Sequence, residues 1–112
     1  MQIIKNKTMQ YLGTIHAKID DKRRLFFPKS WSDETKIFFL VFDEYTKIYP
    51  REVWMSIMLG KKNESERLLW SGKSIQMDID THRRLLLPKT IIWKYIDLIG
   101  MLDYIIIRES AV

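Results

Sequence analysis

Two short segments of the sequence each place a pair of arginines just after an aspartate. Residues 19–29 read IDDKRRLFFPK and residues 79–89 read IDTHRRLLLPK. The planar guanidinium group of arginine can bind a phosphate or a guanine edge through two hydrogen bonds, and an aspartate four residues earlier can orient it through an ion pair. The pattern therefore predicts recognition of a polyanion. The candidate binding residues are Lys22, Arg23, Arg24, His82, Arg83 and Arg84, and the candidate turn-orienting residues are Asp20 and Asp80.

The two segments are copies of one motif. At an offset of 60 residues, seven of their eleven positions are identical. Phe26 and Phe27 become leucines in the second copy, so both phenylalanines are predicted to pack in the core. A lone Lys-Arg-Arg turn is more often a solvated loop than a ligand site. Two arginine turns at equivalent positions are what a paired binding surface requires, so the duplication favours the binding interpretation.

Each copy is predicted to contain the same series of β-rich elements. A strand leads through the charged turn to a short strand that ends at Pro28 or Pro88, and a brief helical link and a β-hairpin follow. The hairpins are predicted over residues 37–50 and 96–109. In the strand before the second motif, period-2 alternation predicts a buried face. That face comprises Ile75, Met77 and Ile79.

Between the copies the hydrophobic period changes to that of a helix. Pro50 suits the first turn of a helix that ends at Gly60, and a second helix is predicted from an N-cap at Asn63 to Gly72. The apolar face of the first helix comprises Val53, Trp54, Ile57 and Met58. We therefore predict a mainly β fold with short helices (α+β). The predicted organisation is a single domain over 1–112, with repeats over 11–50 and 73–109 and connecting helices over 51–72.

Composition narrows the classes of function. The 112 residues carry a net charge of +5, which favours a polyanionic partner because neutralised phosphates release counterions. The chain has no cysteine, two histidines, no glycine-rich phosphate loop and no Ser/His/Asp spacing. We therefore expect no enzymatic activity, no cofactor, no metal and no small-molecule substrate. Asp78, Asp80 and His82 alternate like a metal-binding strand edge, but lysines replace two of them in the first copy, which favours a solvated face.

No apolar run in the sequence has the length of a membrane span. The opening decapeptide MQIIKNKTMQ has no apolar segment long enough for a signal peptide. The sequence therefore predicts a cytoplasmic protein without membrane association.

The doubled motif resembles that of the MraZ family, whose two-repeat members belong to the SpoVT/AbrB-like swapped-hairpin class. The family pattern Asp-x-Lys-Gly-Arg-apolar-x-apolar-Pro is present as DDKRRLFFP over 20–28 and as DTHRRLLLP over 80–88. YPREVW over 49–54 and ERLLWSG over 66–72 are further similarities, so the resemblance spans 11–109. The chain departs from the pattern at Arg23 and Arg83, where the family has glycine, and at His82, where lysine is usual. Its segment between the motifs is also shorter.

The resemblance implies two half-barrels that interleave into one pseudo-two-fold module, and several chains that assemble into a ring-like homo-oligomer. It also implies a nucleoid-associated repressor of the division and cell-wall gene cluster, which binds direct repeats in double-stranded DNA. Arg24 and Arg84 match the family's DNA-contacting arginine, and Asp20 and Asp80 match its partner acids.

The departures leave open both the conformation of the two turns and the function of the chain. A left-handed backbone suits glycine, so Arg23 and Arg83 imply either a different turn or local strain. The chain is then either a DNA-binding regulator or a divergent paralogue whose basic turns bind an acidic protein. RNA is disfavoured because no aromatic side chain is expected among the basic turns to stack on bases.

Overall fold

The computed structural model describes residues 11–31 and 34–111. The opening decapeptide MQIIKNKTMQ, in which the sequence predicts no signal peptide, lies outside this part. Within the described residues the elements are β1 (Tyr11–Lys18), β2 (Arg24–Phe26), β3 (Ile37–Phe42), β4 (Thr46–Pro50), α1 (Arg51–Gly60), α2 (Glu64–Gly72), β5 (Ser74–Asp78), β6 (Arg84–Leu86), β7 (Tyr95–Leu102) and β8 (Ile105–Glu109). The fold is therefore mainly β with two short helices, as the sequence predicted.

The strands form one large antiparallel sheet and one small ribbon. The sheet has six strands in the order β1-β7-β8-β4-β3-β5, and β2 pairs with β6 alone. Both predicted hairpins are present, as β3–β4 and β7–β8. The first strand of each copy pairs with the hairpin of the other copy, β1 with β7 and β5 with β3. The two copies therefore share one sheet, and neither builds it alone.

The two faces of the sheet are covered by different layers. Successive side chains of a strand point to opposite faces, and along β3 Leu40 and Val41 accordingly belong to two separate buried clusters. The first cluster contains Leu25 of β2 and its ribbon partner Leu85 of β6. The second contains Trp54 of α1 and Trp70 of α2. The β2–β6 ribbon and the helices therefore lie on opposite faces of the sheet.

The helices begin and end close to the predicted residues. Pro50 is the N-cap of α1 and the last residue of β4, one position before the predicted first turn. Asn63 is the N-cap of α2, where its side chain accepts a hydrogen bond of 2.9 Å from the backbone N–H of Glu66. Gly60 and Gly72 end the two helices. No helix within the described ranges is long and apolar enough to cross a lipid bilayer.

Two local predictions are wrong. A 3-10 helix at Lys29–Trp31 follows the motif of the first copy, but the equivalent link after Pro88 is a turn. Ile75 was predicted to be buried and is 37% exposed, whereas Met77 on the same face is buried. Both residues lie on the edge strand β5, but Met77 packs in the first buried cluster with Leu85 of the ribbon, whereas Ile75 is not part of that cluster.

Candidate nucleic-acid interface

The first charged turn is organised by the carboxylate of Asp20. Its Oδ1 accepts hydrogen bonds from the backbone N–H groups of Lys22 at 2.9 Å and Arg24 at 2.8 Å. Its Oδ2 accepts one from Arg24 Nε at 2.8 Å. These bonds, with that from the Arg24 backbone the strongest, lower the pKa of Asp20 although partial burial opposes them. The carboxylate caps the loop and fixes one edge of the guanidinium, which leaves both Nη groups for another acceptor.

The second turn repeats this arrangement. Asp80 Oδ1 accepts from the backbone N–H groups of His82 and Arg84, both at 2.9 Å, and Oδ2 accepts from Arg84 Nε at 2.8 Å. Partial burial raises the pKa of Asp80, but the hydrogen bonds from Arg84 and His82 outweigh it, so the pKa is lowered overall. In both turns the aspartate therefore contacts the arginine that lies four residues later and caps backbone N–H groups of the loop.

Arg23 and Arg83 occupy the left-handed region of backbone space, with φ of 64° and 62°. Each is the last residue of a three-residue hairpin loop, a position that glycine normally fills. Each carbonyl accepts a hydrogen bond from the opposite ribbon strand, Arg23 from Leu87 N–H at 2.9 Å and Arg83 from Phe27 N–H at 2.8 Å. The chain therefore keeps the loop that glycine favours. Of a different turn and local strain at Arg23 and Arg83, local strain is correct.

The ribbon brings the two motif arginines to one face. Arg24 pairs with Leu86 across the ladder, and Phe26 pairs with Arg84. Paired residues share a face, and the middle pair of leucines points the other way into the core with no exposure. Arg84 lies two residues along β6 from Leu86, the residue opposite Arg24. This spacing places the Cα atoms of Arg24 and Arg84 about 8 Å apart. The two side chains are 30% and 22% exposed.

The turns themselves lie at opposite ends of the ribbon. Because β2 and β6 are antiparallel, the loop before each strand lies beside the end of the other strand. Exposed Lys22 marks one end and exposed His82 the other. The two turns therefore do not lie side by side but flank a shared central face of the ribbon.

Phe26 departs from its predicted burial. It is 61% exposed, while Phe27 is 5% exposed and belongs to the core as predicted. The ribbon pairing explains the difference, because Phe26 shares the outward face with Arg84, whose Cζ lies 6.0 Å from the ring centroid of Phe26. An aromatic side chain therefore does stand among the basic groups, contrary to the expectation from sequence.

Arg83 is placed differently from the motif arginines. Its guanidinium carbon lies 5.7 Å from the ring centroid of Phe27, and its Nε and Nη2 are buried without a hydrogen-bond partner in the described part of the chain. These nitrogens do not reach an incoming ligand without a shift of the side chain. Arg83 therefore contributes positive charge to the surface, while Arg84 contributes donors.

The charge next to the two turns is unequal. Lys18 ends β1 directly before the first turn, and the Nζ atoms of Lys18 and Lys94 each lie 5.9 Å from the ring centroid of Tyr95. At the second turn, Asp78 takes the place of Lys18. Lys18 and Lys94 could not be identified as a pair from the sequence, because they come together only through the register of β1 against β7. The first turn presents the stronger positive field.

A second ionic group lies within the six-stranded sheet. Buried Asp97 accepts a hydrogen bond from His16 Nδ1 at 2.6 Å and contacts Arg108 Nε at 3.5 Å. The hydrogen bond from His16 lowers the pKa of Asp97 despite desolvation. These residues are register partners on β1, β7 and β8. The three side chains therefore form a row across neighbouring strands, in which His16 and Arg108 supply partners for the buried carboxylate of Asp97.

No protein-family model matches the chain, and no curated protein matches it significantly.

Proposed function

We propose that the protein is a DNA-binding transcriptional regulator that reads duplex DNA with the outward face of the β2–β6 ribbon. The observation that carries this proposal is the pair Arg24 and Arg84, each fixed through Nε by an aspartate on one exposed face. Preorganised guanidinium groups lose little freedom on binding, and their free edges suit phosphate oxygens or the O6 and N7 atoms of guanine.

The dimensions of the ribbon fit the major groove. The groove is about 12 Å wide and admits a two-stranded β-ribbon. The ribbon strands are separated by about 5 Å, and side chains widen the ribbon to groove size. The end turns with Lys22, Arg23, His82 and Arg83 then face the phosphates on either side. The net charge of +5 supports such binding through counterion release.

The proposal also includes the arrangement of the two copies as half-barrels and the assembly of several chains. The exchange of first strands between the two copies supports two interleaved AbrB-like half-barrels related by a pseudo-two-fold axis. Leucines exposed on the helices, Leu59, Leu68 and Leu69, support self-association into a ring. Each chain would bind weakly, and a ring would gain affinity by engaging several direct repeats at once. In a cell the protein would be cytoplasmic and nucleoid-associated, a repressor of division and cell-wall genes.

The test is fluorescence anisotropy with DNA from upstream of the protein's own gene, against a scrambled duplex and over a salt series. Arg24→Ala/Arg84→Ala is expected to weaken binding by about thirty-fold or more, since each specific arginine contact contributes about 1–3 kcal/mol. The slope of log K against log salt is expected to become shallower by about two.

The matched control is Arg51→Ala/Arg67→Ala. It removes the same charge from exposed positions on α1 and α2, on the opposite face of the sheet. The control is expected to retain binding to the native duplex and its salt slope. Equal losses in both double variants, or equal binding of native and scrambled DNA by the wild type, would contradict specific readout and favour an acidic protein partner. Sedimentation velocity that shows only monomer with and without DNA would contradict the ring.

A further inference from the structure

The outward face of the ribbon carries two exposed apolar side chains. Phe26 is 61% exposed and Leu86 is 62% exposed, whereas their strand neighbours Leu25 and Leu85 are fully buried. A single exposed apolar residue is ordinary on a protein surface. These two occupy equivalent positions of the repeat, and each pairs across the ladder with an arginine. Arginine and apolar side chains therefore alternate at the four corners of one small face.

The alternation restricts what the face can bind. The major groove presents guanine acceptors and thymine methyl groups side by side, so it complements guanidinium and apolar groups together. A base of a single strand could stack on Phe26, but Leu86 has no ring to do the same. The minor groove, about 6 Å wide, presents acceptor atoms and the guanine amino group but no thymine methyl group. Duplex DNA bound through its major groove therefore fits both the two arginines and the two apolar side chains of this face.

We propose that Phe26 and Leu86 contact thymine methyl groups and make the ribbon select sites with thymine at two positions. The proposal rests on the proposed DNA-binding function. Within it, Arg24 and Arg84 supply hydrogen bonds and phosphate contacts, and the apolar pair distinguishes thymine from the other pyrimidine by its methyl group. Removing one buried methyl contact weakens binding by about four-fold, so loss of both methyls weakens it by roughly fifteen-fold.

The experiment uses the native upstream duplex and the same duplex synthesised with deoxyuridine in place of every thymidine. The sequence and backbone charge are unchanged, and only the methyl groups are missing. The wild type is expected to bind the uridine duplex roughly fifteen-fold more weakly. Phe26→Ser/Leu86→Ser is expected to bind both duplexes with nearly equal affinity. Both substituted side chains are largely exposed, and circular dichroism and thermal melting verify that the variant folds.

A matched control is Leu12→Ser, which removes a side chain that is 61% exposed on β1, outside the ribbon and the helices. It is expected to keep the wild-type ratio between the two duplexes. Equal wild-type binding of the thymidine and uridine duplexes, with preference over scrambled DNA retained, would overturn the methyl readout and leave the DNA-binding proposal standing. An unchanged ratio in the serine double variant would overturn it as well. Failure of the wild type to prefer the native over the scrambled duplex would remove the proposed function, and this inference with it.

Discussion

Replacing Arg23 and Arg83 by glycine is expected to stabilise the fold while weakening DNA binding. Both residues hold φ near +60°, where a Cβ atom crowds the following carbonyl oxygen. Both also add positive charge at the ends of the ribbon. The same two positions therefore lower stability and contribute to the proposed interface.

The magnitude follows from two opposing terms. Relief of the left-handed conformation contributes about 1–2 kcal/mol per residue. The greater freedom of glycine in the unfolded chain offsets about 0.4–1 kcal/mol of this. The net gain is roughly 0.5–1 kcal/mol per position, or about 1–2 kcal/mol for both, which raises the melting temperature by about 4–8 °C in a domain of this size.

Alanine variants separate the backbone from the side chain. Arg23→Ala/Arg83→Ala loses the same charges and the same contact with Phe27, but it keeps the strained Cβ atoms. Urea and thermal unfolding are expected to rank the glycine double variant above the alanine double variant by about 1–2 kcal/mol. Both double variants are expected to lose DNA affinity to a similar extent. An alanine variant as stable as the glycine variant would refute the backbone argument.

Three further predictions concern stability. Leu102, the last residue of β7, has φ of 74°, so Leu102→Gly is expected to raise the free energy of unfolding measured in urea by about 0.5–1 kcal/mol. A Cβ atom at Gly100 would overlap the backbone of Tyr11, so Gly100→Ala is expected to cost about 3 kcal/mol or more; a melting temperature within a degree or two of wild type would contradict the close approach. The lowered pKa values of Asp20 and Asp80 mean that their stabilisation is complete above the ordinary carboxyl pKa of 3.8 and is lost as pH falls through the lower folded values. Asp20→Asn/Asp80→Asn is therefore expected to lose less stability than the wild type between pH 4 and 2.5 in urea titrations, and parallel losses would contradict this.

Much of the local structure is encoded in patterns that can be read from the sequence. The doubled motif marked both turns, and Gly60 and Asn63 marked a helix end and a helix start. The geometry of Asp20 with Arg24 followed from their spacing, because a carboxylate at the start of a short loop is close to the donors at its end. These features depend on contacts between near neighbours in the chain.

Features that depend on pairing between strands far apart in the chain could not be predicted from the sequence. Residues 25–27 are three consecutive apolar residues, and only the pairing of β2 with β6 determines that Phe26 faces outward. The exchange of β1 and β5 between the copies likewise joins residues far apart in the chain. Hydrophobic periodicity indicates that a face is buried but not which strand lies beside it.

Amide hydrogen exchange with and without the native upstream duplex tests the central claim most directly, because it locates the bound surface in a chain of any oligomeric state. The account predicts slowed exchange in peptides that cover residues 20–27 and 80–87, with little change in peptides that cover α1 and α2. Binding accompanied by protection of the helices alone, with the ribbon and turns unchanged, would contradict the assignment of the ribbon as the DNA-reading face.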